Sequence, residues 1–296
     1  MDSEEETAVP DRDGRPLITN ILTVDVEDYF HVSAFERRIP RDSWPEYPAR
    51  VRENTVRVLE MLAAAGVHAT FFILGWVAQR YPALIREIAT LGHEVASHGQ
   101  NHGRVRRMSP EEFREDLRAS RRTIEDACGR KVRGYRAPSF SVTRESFWYL
   151  DVLAEEGIVF DSSIFPVRHD HYGIPDFDRF PTWLRSPSGA KILEIPPSTF
   201  RIFGRNIPMG GGGFLRLFPL PLFRMGIRSL NDREGQPAVL YFHPWEIDPG
   251  QPKIPGISRK TRFRHYCNLE RTEGKIRALL SEFSFDTIHA WMQEAG

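Results

Sequence analysis

The 296-residue sequence predicts an α/β fold, in which strands and helices alternate around one mainly parallel sheet that is either wound open or closed as a barrel. Three observations predict it. Between residues 17 and 161, short apolar runs typical of buried strands alternate with longer segments of helical periodicity. Glycines follow the helical segments, as at Gly66, Gly92 and Gly157. The length of the chain suits one large α/β domain.

The predicted elements follow a polar leader, residues 1–16, in regular order. Short, mostly apolar segments predict strands at 17–25, 69–74, 94–97, 132–136, 158–160, 238–242 and 285–288. Apolar residues at helical spacing predict helices at 51–65, 82–91, 144–156 and 269–283. A further helix begins after Ser109, a predicted N-cap that is followed by Pro110 at the first helical position and Glu112 at the third.

One stretch breaks this order, residues 162–235, which are rich in proline, glycine and aromatic residues. We expect it to be a loop-rich insertion within a single domain over residues 17–296, and such a long insertion usually has a function. At its centre the run Gly210–Gly213 resembles a phosphate-binding loop but lacks the Lys-Ser or Lys-Thr that would make it one. A flexible loop beside a site is therefore expected there.

The composition excludes several classes of protein. Hydrophobic residues make up 41% and charged residues 27% of a chain with zero net charge, so no global charge attracts nucleic acid or an anionic membrane. Cys128 and Cys267 stand outside any CxxC or Cys/His cluster, so neither a disulfide framework nor a cysteine-based zinc site is expected. The acidic first residues lack the apolar segment of a secretory signal, and no run reaches the length of a membrane span. The expected location is the cytoplasm.

Chemically active side chains stand where the predicted strands end. They are Asp25, Glu27 and Asp28 after the first strand, His98 and His102 after the third, Arg136 after the fourth, Asp161 after the fifth and His243 after a later one. Because the carboxyl ends of parallel strands share one face of a fold, we expect these side chains to converge. This pattern, two histidines four residues apart with an acidic strand end, predicts a metal site made of two histidines and one carboxylate. A further acid is left over to act as a base. Hydrolases use such an arrangement.

Each of these residues also has an ordinary structural explanation. His98 and His102 could be solvated loop residues, and an aspartate at a strand end is usually a turn or cap residue. Arg136 could form a surface ion pair, and His243, which precedes Pro-Trp, could be a packed core residue. Their occurrence in order, each at a strand end, favours a shared site.

Five motifs stand in a fixed order along the chain. They are Thr23–Asp28, His98–His102, Arg136–Phe140, Asp161–Ser163 and Tyr241–Pro244. In this order they resemble the motifs of the polysaccharide deacetylases, carbohydrate esterase family four, and the resemblance covers about residues 17–290. Three further segments, Val24–Phe30, Gly211–Leu217 and His243–Pro249, make it closest to the subgroup associated with exosortase and exopolysaccharide loci. The resemblance implies a distorted, incomplete (β/α) barrel of the NodB homology type.

The resemblance also implies a role for each residue of the site. Asp25 is implied as the general base that deprotonates the attacking water, oriented by Arg136 through charge-assisted hydrogen bonds. His98 and His102 are implied as ligands of a divalent metal together with one carboxylate. Neutral imidazoles and a carboxylate suit zinc, and cobalt, nickel and iron are alternatives.

The carboxylate ligand has two candidates, because the family pattern of two adjacent acids followed by glycine is replaced here by Asp-Val-Glu-Asp. On a strand, Asp25 and Glu27 point to one side, which favours Glu27 as the metal ligand. If the strand has already turned at this point, Asp28 takes that position instead.

The resemblance also implies the general acid and the groups that bind the oxyanion. His243 is implied as the general acid that protonates the departing amine, with Asp161 holding and tuning it. The metal and a backbone N–H just after Pro138, that of Ser139, are implied to stabilise the tetrahedral oxyanion. Several aromatic residues have two possible roles, contact with the sugar or ordinary packing. They are Trp183, Phe200, Phe203, Phe214 and Trp245.

The implied reaction is the metal-assisted hydrolysis of N-acetyl groups from the amino sugars of a polysaccharide, expected to be a bacterial exopolysaccharide. The implied partner is an N-acetylated polysaccharide or a lipid-linked oligosaccharide at the inner face of the membrane. One alternative is an allantoinase-like hydrolase of another linear or cyclic amide, and His102 argues against it because such relatives tend to lack the second histidine. The other is a non-catalytic carbohydrate-binding protein, against which the complete set of Asp25, His98, His102 and His243 argues.

Overall fold

The computed structural model describes residues 18–169 and 172–294, and its main feature is a nine-stranded sheet curled into half a barrel. The predicted leader at 1–16 lies outside the described residues. The strands are β1 (Asn20–Val26), β2 (Thr70–Ile73), β3 (Glu94–Ser97), β4 (Gly134–Tyr135), β5 (Phe160–Asp161), β6 (Thr182–Arg185), β7 (Lys191–Glu194), β8 (Thr199–Ile202), β9 (Arg205–Pro208), β10 (Val239–Phe242) and β11 (Phe285–Asp286). The helices are α1 (Val51–Ala65), α2 (Gly75–Arg80), α3 (Pro82–Thr90), α4 (Pro110–Cys128), α5 (Tyr149–Glu155), α6 (Gly213–Leu217), α7 (Leu220–Arg228), α8 (Arg259–Tyr266), α9 (Leu269–Leu280) and α10 (Ile288–Glu294).

The strand order explains why polar side chains from distant segments meet. Across the sheet the order is β10, β1, β2, β3, β4, β5, β7 and β6, and β11 pairs with the first residues of β1. Neighbouring strands are parallel except β6, which is antiparallel to β7. Within the described residues no pairing joins β10 to β6, so the barrel stays open. The predicted α/β fold with an incomplete barrel is confirmed.

The side chains of β1 alternate between two faces of the sheet, as strand geometry requires. Leu22, Val24 and Val26 join the large core between the sheet and the helices. Ile21 instead joins a smaller cluster that includes Phe72. Asp25 is an even number of residues from Ile21, so the strand period puts its carboxylate on the face of this smaller cluster.

The helices follow local signals in the sequence. Ser109 caps α4 through a reciprocal pair: the Glu112 N–H donates to Ser109 Oγ at 3.2 Å, and the Ser109 N–H donates to Glu112 Oε2 at 2.8 Å. Gly66 ends α1 in the left-handed conformation at φ 65°, which a residue with a Cβ adopts at a cost. No helix in the described part of the chain is long and apolar enough to cross a membrane.

Residues 162–235, predicted as a loop-rich insertion, also contain strands and helices that the prediction did not include. Strand β7 pairs in parallel with β5 and extends the main sheet, β6 completes its edge, and β8 and β9 form a separate hairpin. Helices α6 and α7 follow. These strands have four residues each and are separated by turns, so no sustained alternation distinguishes them from loop sequence.

The glycine run Gly210–Gly213 is packed against the sheet, which corrects the expectation of a flexible loop. Gly211 forms a parallel bridge with Tyr241 of β10 at a φ of 138°. A Cβ at Gly211 would lie 1.7 Å from the carbonyl oxygen of Tyr241. Glycine is required there because the two backbones approach too closely for any side chain.

Candidate active site

Four parallel strands deliver the predicted site residues to one edge of the sheet. Asp25 lies near the end of β1, while His98, Arg136 and His243 directly follow β3, β4 and β10. All four side chains are largely or fully withdrawn from solvent, and His243 retains 17% exposure. The convergence predicted from strand topology is therefore present in the structure.

Glu27, His98 and His102 form a cluster with the spacing of a metal site. Their ligand atoms lie within 4.8 Å of one another, and all three residues are buried. Glu27 Oε1 is 2.8 Å from His98 Nε2 and 3.0 Å from His102 Nε2. His102 has a φ of 54°, an uncommon conformation for a residue with a side chain, and such strain often occurs at functional sites.

The hydrogen bonding of His98 matches that of a metal ligand. Its Nδ1 lies 2.8 Å from the carbonyl oxygen of Arg136. A carbonyl can only accept, so Nδ1 carries the hydrogen and Nε2 of the neutral ring presents a lone pair toward Glu27. Two acceptors at 2.8 Å need a proton or a cation between them. A backbone carbonyl on the far nitrogen is also the usual support of a metal-bound histidine.

The electrostatic surroundings of Glu27 also favour a metal site. Burial alone would raise the pKa of Glu27, but the neighbouring imidazoles of His102 and His98 hold that pKa well below its usual value. An ionised, buried carboxylate beside two imidazoles is a donor set that suits a divalent cation such as zinc.

Asp28, the rival candidate, is engaged elsewhere. Its Oδ1 accepts from the Tyr29 N–H at 2.9 Å, and its Oδ2 accepts from the N–H groups of Arg50 and Val51 at 2.6 and 2.9 Å. It therefore caps the 3₁₀ turn Tyr29–His31 and ties this turn to the start of α1. The chain turns directly after Val26, yet Glu27 is the residue that reaches the histidines.

Asp25 is held by Arg136. Arg136 Nη1 donates to Asp25 Oδ1 at 2.6 Å and to Thr23 Oγ1 at 2.9 Å. Arg136 Nε and Nη2 donate to the carbonyl oxygen and the Oγ of Ser162, and its Cζ lies 4.1 Å from the centre of the Phe72 ring. This fixes Asp25 through its Oδ1 and leaves Oδ2 turned toward His243, whose Nε2 is 3.8 Å away.

The partner of His243 is Glu246, which the sequence reasoning missed. His243 Nδ1 lies 3.0 Å from Glu246 Oε2, and Glu246 Oε1 accepts from Arg216 Nε at 2.7 Å. Burial opposes protonation of His243, but the hydrogen bond and charge of Glu246, with the charges of Glu27 and Asp25, raise its pKa to about 9. Burial would raise the pKa of Glu246, but Arg216 and His243 lower it to about 2.

A signal for Glu246 was present in the sequence. His243 is the N-cap of the 3₁₀ turn Pro244–Ile247, and Glu246 occupies the third position, where its carboxylate accepts from the His243 N–H at 3.0 Å. This is the reciprocal arrangement of a capping box. No comparable local pattern identifies Arg216, which comes from α6.

The predicted link between Asp161 and His243 is wrong. Asp161 Oδ2 accepts from the Tyr149 hydroxyl at 2.6 Å, and its Oδ1 accepts from Ser163 Oγ at 2.5 Å. Ser163 Oγ in turn accepts from the Ala137 N–H at 2.8 Å. Asp161 is fully buried beneath the segment that follows β4 and supports it, because β5 pairs with β4 and lies across the sheet from β10.

Pro138 and Ser139 lie in a short 3₁₀ turn, Pro138–Phe140, beside Arg136. The first N–H groups of such a turn have no partner within it, and the Ser139 N–H is one of them. Ser139 has a φ of 56°, and its Oγ lies 2.5 Å from Ser33 Oγ. The geometry is compatible with the predicted role of this N–H.

Trp245 does not offer a surface for a sugar, which corrects its assignment as a substrate-contacting residue. It is 4% exposed and stacks between His243 and His265, with ring centres 5.2 and 4.4 Å away. Among the other aromatic candidates, Trp183 is 60% and Phe203 fully exposed, whereas Phe200 and Phe214 pack against the large core.

The curled, open α/β barrel and its His/His/carboxylate cluster at the strand ends define a carbohydrate esterase fold of the NodB type. Residues 42–157 match the sequence model of the polysaccharide deacetylase family, and residues 162–293 match DUF3473, a domain of unknown function. Residues 42–157 therefore form the predicted polysaccharide deacetylase domain. Strand β5 lies between the two matches.

Individual relatives agree with this family. Over 101 residues the chain is 37% identical to a chitooligosaccharide deacetylase of Bradyrhizobium, which covers 34% of this chain and 43% of the relative. Over 122 residues it is 25% identical to a peptidoglycan-N-acetylglucosamine deacetylase of Bacillus cereus, covering 37% and 44%. The matches thus span less than half the length of these relatives.

A solved structure extends the likeness of fold to nearly the whole chain. A protein of Mycobacterium smegmatis, described as a polysaccharide deacetylase, aligns with 93% of this chain and 88% of its own, with a TM-score of 0.58 and 23% identity. At this identity the match concerns the fold alone. It covers a far larger share of this chain than the matches to the curated relatives do.

Proposed function

We propose that this protein is a metal-dependent deacetylase that hydrolyses N-acetyl groups on the amino sugars of a polysaccharide and releases acetate and free amine. One observation carries the proposal: a carboxylate held by a buried arginine, a histidine held by a buried glutamate, and a His/His/Glu cluster converge at one edge of the sheet. The family match and the deacetylase relatives support it.

Glu27, His98 and His102 would hold the metal, for which zinc is our first candidate. A divalent cation supplies Lewis acidity, which polarises a carbonyl oxygen and makes water more acidic. The protein contributes a buried anionic ligand and a His98 ring fixed by the carbonyl of Arg136. Asp28 is left out of this ligand set because three backbone N–H groups occupy its carboxylate.

Asp25 would take the proton from the attacking water. Arg136 engages Oδ1 and fixes the plane of the carboxylate, so Oδ2 is the oxygen that can accept a proton. The arginine is fully buried and itself held by Thr23 and Ser162, which limits the movement of the base. Such positioning is a large part of what a catalytic site provides.

His243 would donate a proton to the departing amine. Glu246 engages Nδ1, so Nε2 is the nitrogen that faces Asp25 and the substrate side. Its raised pKa keeps the ring protonated at neutral pH, as a general acid requires. The N–H of Ser139 would donate to the oxyanion that forms at the acetyl carbon.

For the substrate, we propose an N-acetylated polysaccharide, and a bacterial exopolysaccharide as the finer assignment. The relatives act on chitooligosaccharide and on peptidoglycan N-acetylglucosamine, which share the N-acetyl amino sugar. A lipid-linked oligosaccharide and the subgroup of exosortase loci remain predictions of the sequence resemblance.

The decisive experiment is acetate release from a panel of N-acetylhexosamine oligomers and polymers, measured before and after chelation. We expect release by the purified protein, its loss after chelation, and recovery on addition of zinc, cobalt or nickel. A matched panel of cyclic amides, including allantoin, tests the alternative hydrolase. Acetate release that survives complete removal of metal, or its absence on every N-acetylated glycan, contradicts the proposal.

A further inference from the structure

A second cavity lies beside the active site and is assigned to no function. It has a volume of about 500 Å³, within the usual range for ligand sites. One wall is the segment around Val167 and Arg168 that follows β5, and the opposite wall is the β8–β9 hairpin. Asn206 holds the walls together, because its Nδ2 donates to the carbonyl oxygens of Pro166 at 2.8 Å and Pro175 at 3.4 Å.

The cavity is lined by three arginines, Arg168, Arg201 and Arg205, and by no acidic residue of the described chain. None of the three forms an ion pair with a carboxylate within residues 18–169 and 172–294, whereas Arg179 nearby is paired with Glu234 at 2.6 Å. All three are exposed residues that line one space, so their positive charges act together there. They are stabilised together when an anion occupies the space.

The cavity is separated from the catalytic residues by one layer of side chains. Val167 packs in a small cluster with Phe140 and Tyr241. On the other side of this cluster, the Tyr241 ring lies 5.9 Å from the ring of His243, and the Arg136 guanidinium lies 5.7 Å from the centre of the Tyr241 ring. The cavity and the catalytic residues therefore lie on two sides of the same buried cluster.

We propose that this arginine-lined cavity binds a carboxylate or phosphate group carried by the glycan, next to the sugar at the catalytic residues. The inference rests on the proposed deacetylase function and adds that the substrate is acidic. Planar guanidinium groups bind both oxyanions through paired N–H donors, so the shared chemistry is an anionic oxygen group on the polymer. Because the chain has zero net charge, its overall field does not attract an acidic polymer. Selectivity for an acidic glycan therefore comes from this local group of arginines.

The test compares binding of three oligosaccharides of equal length to the full chain by titration calorimetry after chelation, so that none is consumed. One is neutral N-acetylglucosamine oligomer, one alternates N-acetylglucosamine with glucuronic acid, and one carries phosphodiester groups. We expect at least one acidic probe to bind about tenfold more tightly than the neutral one, and this preference to shrink as salt rises. The acidic probe that does so identifies the anionic group.

The test variant is the combination of Arg168→Gln, Arg201→Gln and Arg205→Gln, which removes the positive charges and keeps side-chain length. We expect it to bind the acidic and neutral probes with affinities within about twofold of each other, since the charge-assisted bonds are lost. Equal binding of all probes by the wild-type protein, or a preference that survives in the variant, overturns the proposal.

The matched control is the combination of Arg52→Gln, Arg133→Gln and Arg185→Gln. These arginines are exposed, form no ion pair in the described part of the chain and do not line the cavity, so the control changes net charge by the same amount. It should keep the wild-type preference, and a loss equal to that of the cavity variant overturns the proposal.

Acetate release separates this inference from the proposed function. With metal restored, the wild-type protein and the cavity variant should release acetate from the neutral oligomer at the same rate, because that probe carries no anionic group for the arginines to bind. Absence of acetate from all three probes with the wild-type protein refutes the proposed function, while the binding comparison still decides whether the cavity is an anion site.

Discussion

Two buried arginine–carboxylate pairs, one in each region of the molecule, are built in different ways. Asp25 and Arg136 belong to the regular β–α region that ends with β5, and both lie at strand ends. Glu246 and Arg216 belong to the C-terminal region and come from a 3₁₀ turn and a five-residue helix. The first pair was visible in the sequence, and the second was found only in the structure.

A buried arginine–carboxylate pair supports both the proposed base, Asp25, and the proposed acid, His243. In each pair a buried arginine compensates a buried carboxylate, and that carboxylate faces His243 from one side of the imidazole. Breaking a buried pair by removing one partner typically costs about 3–5 kcal/mol of stability. In the first region the carboxylate is itself the proposed base, whereas in the second it only sets the state of the proposed acid. Variants in the first region should therefore abolish turnover, and variants in the second should shift its pH dependence.

The largest effect is expected at the histidine pair of the first region. His98→Ala or His102→Ala removes one of three proposed ligands, so bound metal and turnover should disappear together. Affinity should fall by more than about 100-fold, because even loss of a group that only supports a ligand costs roughly 10- to 100-fold. Metal content by mass spectrometry and acetate release measure this. His68→Ala is the control, since His68 is exposed and outside the cluster.

The carboxylates of the first region should separate metal binding from catalysis. Asp25→Asn is expected to lower kcat by about 100- to 10,000-fold with metal content unchanged, the range for loss of a general base. Glu27→Gln should lose the metal, whereas Asp28→Asn should retain it. A metal-free Asp28→Asn protein that is still folded, or an Asp25→Asn enzyme of normal rate, would reverse these assignments.

The second region should respond through pH. Glu246→Gln removes the charge that raises the pKa of His243 to about 9, so the alkaline limb of kcat/KM should move to lower pH by about one unit or more. His243 carries a raised pKa, so the stability that Glu246 provides is fully present below the ordinary value of 6.5 and is lost as pH rises through about 9. The pKa of Glu246 is itself lowered from 4.5 to about 2, so the deficit of Glu246→Gln in urea unfolding should be largest between pH 4.5 and 6.5 and should shrink on either side.

Two matched variants sharpen that result. Glu246→Asp keeps the charge and should retain most of the alkaline activity. Asp161→Asn should leave the alkaline limb in place, because Asp161 contacts Tyr149 and Ser163 and no atom of His243. If Asp161→Asn moved the limb as far as Glu246→Gln does, the partner of the imidazole would be misassigned.

The smallest effect is expected from Tyr149→Phe, which removes the hydroxyl that donates to buried Asp161 at 2.6 Å. Leaving this acceptor with one fewer donor should reduce the free energy of unfolding by about 1–3 kcal/mol. The pH profile should be unchanged. Urea unfolding and the profile of kcat/KM, measured on the same preparation, check both statements, and a shifted profile would count against a purely structural role.

The sequence by itself determined the regular region and the residues at its strand ends. Helix α1 agrees with its predicted bounds at both ends, and α4 begins after its predicted cap, because caps and glycine stops are local signals. His98, Arg136 and His243 could be grouped from the order of strands along the chain, because parallel strands bring their carboxyl ends to one edge.

Tertiary structure alone decided which buried groups became partners. The exclusion of Asp161 as a partner of His243 depends on β5 and β10 lying far apart in the sheet, which no local pattern records. Local patterns also fail to identify Arg216 and the arginines of the β8–β9 hairpin. The short strands of this hairpin show no sustained alternation of apolar and polar residues. A buried charge is stabilised by whatever group the fold brings within a few ångströms, and that proximity is a property of the folded chain.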